Sequence, residues 1–431
     1  GGIWSTPRDM SRLAMMLMRG GTFQGVRLLS AAAVAEMGRW QTASTLDPAP
    51  QPSFRYGLGW DTVAEPGLGA VGVAGWQKGG DTNDYHAAFL VAPGKRLAVT
   101  VLGAGRALTS TAVERIAQVA MLALLAERGS IAAFPRPLAA VTLPARTPST
   151  ATLRGLRGTY LAAVAPVRVV TAAGGSLRLQ LLTNGAWVDA GGRFTLRRDG
   201  RFWSTTSPST GLRVVRGWGR TYLVLRKAAG AGHYREDTIL GQKVASGSAL
   251  SDAWQARLAR RWLPVGDLPT SILWQPRVAW GFSTIPGLRG YLWADFADVP
   301  VDPGTSDSLA SMFLVVPTLS GRDQNDIAVV DRGGQEWLVS PSSVMRPAES
   351  VPPLAPGATD LTIGPEGYAE WGRVGAAGTL AVTGASAWKL YDGEGAPLTS
   401  GVGDVAGLAA PAHALLVVFG APGAEVDVAV T

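Results

Sequence analysis

Apolar residues recur along this chain with two different periods, and the change from one to the other divides it. Over residues 6–21 the spacing is helical, with Met10, Leu13, Ala14 and Leu17 on one face. Thr6 stands at the N-cap, Pro7 at the first helical position, Asp9 completes a capping box, and Gly20-Gly21 ends the helix. Ser30 caps a second short helix over 31–37. Tyr56-Gly57-Leu58-Gly59-Trp60 reads as a strand, as do 86–91 and 96–102, which flank a turn at Pro93-Gly94. A third helix covers 109–128, with an apolar stripe through Val113, Ile116, Ala120 and Leu124. Helices laid on an antiparallel sheet make an α+β layer.

From Gly158-Thr159-Tyr160 the period falls to two. Leu177-Arg178-Leu179-Gln180-Leu181 alternates, 221–226 does so in part, and glycine pairs mark the turns, which predicts a small antiparallel barrel. Pro135, Pro137, Pro144 and Pro148 make the segment before it a stiff linker. After an amphipathic piece at 252–262, Leu288-Arg289-Gly290-Tyr291-Leu292 loosely echoes Leu156-Arg157-Gly158-Thr159-Tyr160-Leu161, which suggests a second barrel. Four prolines in 346–356 form a second linker, and strands near 378–382 and 414–419 belong to a last all-β module. The expected architecture is multidomain. It runs from an α+β region at 1–130 and a linker at 131–150 to a barrel at 151–250, a second β-rich domain at 251–345 and a sandwich-like module at 357–431.

Composition narrows the chemistry. With 431 residues, 47% hydrophobic, the chain can bury several cores. It has no cysteine, which excludes disulfides, thiolate nucleophiles and Cys-ligated zinc. The three histidines, His86, His233 and His413, lack metal-ligand spacing, and no phosphate-binding glycine loop is present, so neither metal nor cofactor is implied. No apolar run of ~18 residues suggests a membrane span. Residue 1 is glycine and Gly1-Gly2-Ile3-Trp4-Ser5 reads as the interior of a domain, so further polypeptide ahead of it is expected.

Charge is unevenly spread. Residues 151–262 carry 18 Lys/Arg against 5 Asp/Glu, whereas 263–431 carry 7 against 18. Dispersed arginines suit neighbouring modules of opposite charge better than a nucleic-acid stripe, so no nucleic-acid partner is expected; binding of an anionic polymer by the basic part is the rival reading.

The most informative stretch is Lys78-Gly79-Gly80-Asp81-Thr82-Asn83-Asp84-Tyr85, a lysine between an apolar run and a hairpin, with glycines that admit another backbone closely. It joins an ordered set: Gly2-Ile3-Trp4-Ser5-Thr6 with Asp9, Gly20-Gly21, Arg27-Leu28-Leu29-Ser30, Tyr56-Gly57-Leu58-Gly59-Trp60, the Pro93 hairpin and the closing helix. Together they resemble the C-terminal portion of a serine β-lactamase (class C-like) or penicillin-binding protein-like catalytic domain, over about residues 1–130.

The resemblance implies acyl transfer through a serine ester. In that family a Ser-x-x-Lys serine attacks and a Tyr-x-Asn loop moves protons. Lys78 corresponds to the lysine that supplies positive potential from a pocket wall, and the Asp81 N–H to an oxyanion donor. Gly79, Gly80, Thr82 and Tyr85 would border a small-molecule or peptide acyl substrate. Gly79 replaces the usual threonine, which leans the reading from β-lactams toward esters or peptides. Tyr85 and Trp76 either wall a cleft or belong to a core, and His86 either meets substrate or serves its strand.

No Tyr-x-Asn occurs, and the one Ser-x-x-Lys, Ser386-Ala387-Trp388-Lys389, reads as a strand in the last module rather than a helix start. The chain alone is therefore expected to be inactive, and the missing part of the domain is an expected partner. The alternative is a non-catalytic protein that binds peptide, glycan or a partner through the same scaffold and barrels. By analogy the family works in the periplasm or outside the cell.

Overall fold

A computed structural model describes residues 4–42, 55–82, 84–105, 107–162, 165–274, 277–296, 299–314, 326–341, 343–365 and 367–431. Gly1, Gly2, Ile3 and Asn83 of the stretches above lie outside them. The chain is mostly β and divides into two compact units, one built on 1–244 and the other on 245–313 with 323–431.

In the first unit, helix α1 (Pro7–Met18) begins as its caps dictate: Thr6 Oγ1 accepts the Asp9 N–H at 3.2 Å and donates to the Asp9 carboxylate at 2.9 Å. Gly21 N–H closes the helix on Met16 O, and a Cβ on Gly21 would meet Leu29 O at 2.1 Å, so only glycine fits. Helix α2 (Ala31–Met37) follows its Ser30 cap. Strands β1 (Trp76–Asp81), β2 (Tyr85–Ala92) and β3 (Leu97–Ala104) form an antiparallel sheet in that order. Helix α3 (Ser110–Glu127) packs on it through Val113, Ala117, Met121, Leu122 and Leu125, while α1 and Trp60 close the other core against Phe89 and Val91.

Two sequence expectations need correction here. Tyr56 to Trp60 is a tight turn with a single Gly57↔Trp60 bridge, because Gly59 takes φ +80° and folds the chain back to seat Trp60 against Trp76 and Phe89. Val113 is buried as expected, but from Ala117 onward the buried face of α3 lies one residue beyond the expected stripe, leaving Ile116 52% exposed.

Residues beyond α3 cross to a barrel capped by helix α4 (Thr150–Leu156). Its strands are β4 (Gly158–Leu161), β5 (Val167–Ala172), β6 (Ser176–Thr183), β7 (Ala186–Asp189), β8 (Phe194–Leu196), β9 (Phe202–Ser204), β10 (Gly211–Gly217), β11 (Arg220–Ala229) and β12 (Tyr234–Val244). Neighbour pairing runs β8-β9-β10-β11-β12-β4-β5-β6, and Phe194↔Leu177 joins β8 to β6, which closes the ring with β7 as a flap. Tyr160, Val169, Leu177, Phe202, Leu212 and Leu223 fill the interior of the ring. The Pro-rich segment is laid on the barrel surface: Leu138 N–H donates to Gly232 O and Arg146 N–H to Leu196 O.

The second unit contains an open sheet of Trp262–Pro264, Ser343–Pro347, Gln335–Ser340, Ile327–Arg332 and Leu309–Ala310, and a meander of Phe282–Ile285, Leu288–Ala294 and Val299–Val301. These strands do not close into a second barrel. A five-stranded and a four-stranded sheet pack face to face over Leu361, Val382, Leu390, Leu416 and Val428 as a sandwich. The expected linker at 346–356 is woven in instead: Pro347 ends one strand, and Pro353–Leu354 pairs in parallel with Arg373 and Val374. Leu263, Trp274, Trp371, Tyr391 and Phe419 share a core, so the open sheet and the sandwich are one body.

Candidate functional site: the outer edge of β1

Strand β1 is the outer strand of its sheet, paired with β2 through Lys78↔Phe89, Gly79↔Ala88, Gly80↔Ala87 and Asp81↔His86. On the far side Gln77 N–H donates to Thr62 O at 2.8 Å, and Thr62 N–H donates back to Gln77 O at 3.2 Å. Peptide groups of alternate residues point the same way in a strand. Gly79 and Asp81 therefore present their N–H and C=O groups to the outer edge, beyond the point where Thr62 covers it. Gly79 N–H donates to Asp61 Oδ2 at 2.7 Å, and Lys78 Nζ donates to Gly79 O. The Asp81 N–H is the next donor along that edge.

Lys78 folds onto this strand rather than into a pocket. Its ammonium lies 3.2 Å from Asp61 Oδ2 with the side chain 45% exposed, and none of the described cavities is lined by it. The expected pocket wall is thus an exposed rim, paired with the 61–62 strip at Gln77.

The surroundings are more acidic than the sequence suggested. Glu114, on α3, is drawn up to about 7, chiefly by burial and then by the charges of Asp81 and Asp61. A Cβ built on Gly79 would lie 3.5 Å from Asp61 Oδ2 and 3.7 Å from Glu114 Oε1, ordinary contact distances. Two carboxylates and one ammonium thus collect at Gly79, with Asp81 two residues along the strand. Sequence reasoning missed Asp61 and Glu114, which lie 18 and 35 residues from Gly79 and belong to no local motif.

The remaining site residues divide. Asp81 Oδ1 lies 2.8 Å from His86 Nδ1 across the hairpin. Thr82 Oγ1 accepts the Tyr85 N–H at 3.0 Å and the Asp84 N–H at 3.4 Å, so this hydroxyl serves the turn. Tyr85 is 51% exposed and meets Trp4 edge-on at 5.3 Å, forming an aromatic wall at the open end of the strand, whereas Trp76 packs on Trp60 in the core. Gly80 keeps close backbone approach available. Ser386 and Lys389 take no part: Ser386 Oγ donates to Phe419 O, and Lys389 sits three residues on in an extended strand, on the opposite face.

The barrel reaches this region through the β11–β12 hairpin. His233 Nε2 lies 2.9 Å from Gly67 O, and Gln118 donates to the buried Glu65 at 2.7 Å. Burial raises the Glu65 carboxyl against the Gly67 and Leu68 N–H groups that hold it. A cavity of about 280 Å³ between the hairpin and α3 is lined by Gln77, Glu114, Lys227 and Tyr234. Among the described residues no group of His, Asp and Glu could hold a metal, and no helix is long and apolar enough to cross a membrane.

This constellation is that of a β-lactamase-type domain. Residues 1–123 match the family model for β-lactamase. Among solved structures, the crystal structure of SurE with D-Leu is similar at 19% identity and TM-score 0.34, over 54% of this chain and 49% of that one. The octameric penicillin-binding protein homologue from Pyrococcus abyssi is similar at 13% identity and TM-score 0.24, over 55% of this chain and 45% of that one. The chain thus spans about half the length of the solved structures that it matches. A comparison with curated proteins finds no match.

Proposed function

We propose that residues 1–123 supply the substrate edge of a serine acyl-transfer hydrolase of the β-lactamase type, acting on esters or peptides. The observation that carries this reading is the outer edge of β1, where the Asp61 and Lys78 side chains engage the Gly79 N–H and C=O and the Asp81 N–H is the next donor along the strand. A peptide laid along that edge would add a strand, with its acyl oxygen against the Asp81 N–H, where a developing oxyanion gains a preorganised donor. Gly79 and Gly80 admit the approach, Tyr85 borders it, and Lys78 lends positive charge near the reacting centre. Thr82 holds the hairpin that aims Tyr85. Asp61 already engages the ammonium and Gly79 lacks a hydroxyl, which weakens recognition of a β-lactam carboxylate and favours neutral acyl groups.

The reaction needs a serine that residues 1–431 do not place on a helix ahead of a lysine. The chain alone should therefore leave p-nitrophenyl esters unhydrolysed and resist labelling by a fluorophosphonate. Joined to a segment bearing Ser-x-x-Lys and Tyr-x-Asn, it should label, and Lys78→Ala should slow acylation at least about a hundredfold. Labelling of the chain alone, or acylation indifferent to Lys78→Ala, refutes the assignment. By family analogy the protein is expected in the periplasm or outside the cell, which fractionation of expressing cells checks. The Lys78–Asp61 pair also favours a second reading, a scaffold that binds peptide along β1 without chemistry. Peptide affinity without acylation of the joined protein would select it.

A further inference from the structure

The barrel brings three guanidiniums, one of them buried, onto a single buried carboxylate. Asp237, on β12, is 2% exposed and receives three guanidiniums. Arg226 Nε donates to Oδ1 at 2.6 Å; Arg201 Nη2 and Arg213 Nη2 donate to Oδ2 at 2.9 and 3.1 Å. Burial opposes ionisation of this carboxyl, but hydrogen bonding and charge from Arg226 and Arg201 outweigh it and keep the group below its usual range. Arg201 is only 6% exposed, yet its Nη1 is buried with no hydrogen-bond partner among the described residues, and Arg213 Nε is in the same state. Buried donors are rarely left unmet, since each forfeits its hydration.

Arg201 and Arg213 line a cavity of about 460 Å³ with Arg216, Thr152 and Asp199. Asp199 is exposed and already accepts from Trp203 Nε1 at 2.9 Å and from the Arg201 N–H at 3.1 Å. Lys243 adds a further cation behind the cavity wall, with Nζ 2.7 Å from Gly155 O and its ammonium depressed by burial and by Arg216. Three guanidiniums thus meet on Asp237, while Arg216 borders the cavity and Lys243 lies near it. Three arginines, Arg201, Arg213 and Arg216, border a space of small-molecule size, and forked guanidiniums match an oxyanion.

We propose that this cavity is a binding site for a small ligand carrying an oxyanion, a phosphate or a carboxylate, held by Arg201 and Arg213 with Arg216 at the rim. The site is independent of the acyl-transfer reading and lies wholly within the barrel and its α4 cap. Calorimetry and thermal unfolding of the 431-residue chain test it, with inorganic phosphate or acetate titrated against chloride at matched ionic strength. Saturable heat and a rising Tm with phosphate alone assign a phosphate-bearing ligand; with acetate alone, or with both, a carboxylate is admitted. Arg201→Met should weaken binding at least about tenfold, the loss expected when a hydrogen bond to a charged group goes. Should that variant fail to fold, Arg201→Lys keeps the charge beside Asp237 but removes the fork, and should lose a similar factor. Arg216→Ala, at the exposed rim, should lose less. No response beyond chloride with either anion, or binding that survives loss of the Arg201 fork, overturns the proposal.

Discussion

The edge of β1 and the Asp237 cluster are both small gatherings of opposite charge on β-structure, and they differ in exposure. Lys78 and Asp61 meet at 3.2 Å with the lysine side chain 45% exposed, whereas the Asp237 side chain is wholly buried and Arg201 is 7% exposed. An exposed pair gains little, because water already solvates both partners and salt screens them. A buried carboxylate depends on its partners, because no water replaces them. The first arrangement leaves a cation free to be recruited by an arriving group. The second fixes the barrel wall and sets Arg201 and Arg213 along a cavity. Openness follows from topology: β1 is an outer strand, while the barrel is closed by β8 on β6.

The largest test of this contrast removes the buried anion. Asp237→Asn leaves three guanidiniums facing one another and should lower stability by about 3–5 kcal/mol, read from urea unfolding. The sign with pH follows from the carboxyl being held low. Its stabilisation is present above the unfolded-state value near 4 and is lost as pH falls through the lower folded-state value, so the variant should show a shallower acid transition. A loss under about 1 kcal/mol would mean that the cluster is not what ties β10, β11 and β12 together.

Glu114 stands between the two regimes, half-buried beside the open edge. Its carboxyl is raised from near 4.5 to about 7, so its proton stabilises the fold fully below about 4.5, and that contribution is lost as pH rises through about 7. Glu114→Gln should flatten the stability profile across that window by about 2 kcal/mol after allowance for solvent screening. An unchanged slope in urea unfolding from pH 4.5 to 7.5 would exclude burial of this group.

What the sequence made legible was local. Thr6, Pro7 and Asp9 located α1 because a cap is a three-residue event, and Lys78 with its glycines located β1 and the hairpin. The α3 boundaries were legible from Thr109 and Arg128, but its stripe was not: adjacent apolar pairs at Ile116-Ala117, Ala120-Met121 and Leu124-Leu125 fit either face, and packing on β2 and β3 chose the second. Asp61 and Glu114 reach Gly79 only through tertiary structure. The Asp237 cluster was hidden more deeply, since it depends on register. A bulge between Leu223 and Val224 sets Arg226 opposite Asp237, and a slip of one residue would part them. The +13 surplus of the barrel region was read as charge facing a neighbouring module, yet Arg201, Arg213 and Arg226 converge on the buried Asp237.

The smallest expected effect closes the comparison from the exposed side. In a double-mutant cycle, Lys78→Met and Asp61→Asn should each change stability by no more than about 1 kcal/mol, with a coupling of about 0.5 kcal/mol that fades by 1 M salt. Asp61→Asn should cost slightly more than Lys78→Met, because Asp61 also accepts the Gly79 N–H at 2.7 Å. That asymmetry matters for the site. If Asp61 serves mainly to hold the strand, the ammonium can leave it for a substrate at little cost, which a charge lent to acyl transfer requires. A coupling above about 2 kcal/mol would instead make Lys78 a fixed strut of β1. The open edge and the buried cluster would then differ only in position, and the electrostatic role proposed for Lys78 would fail with that distinction.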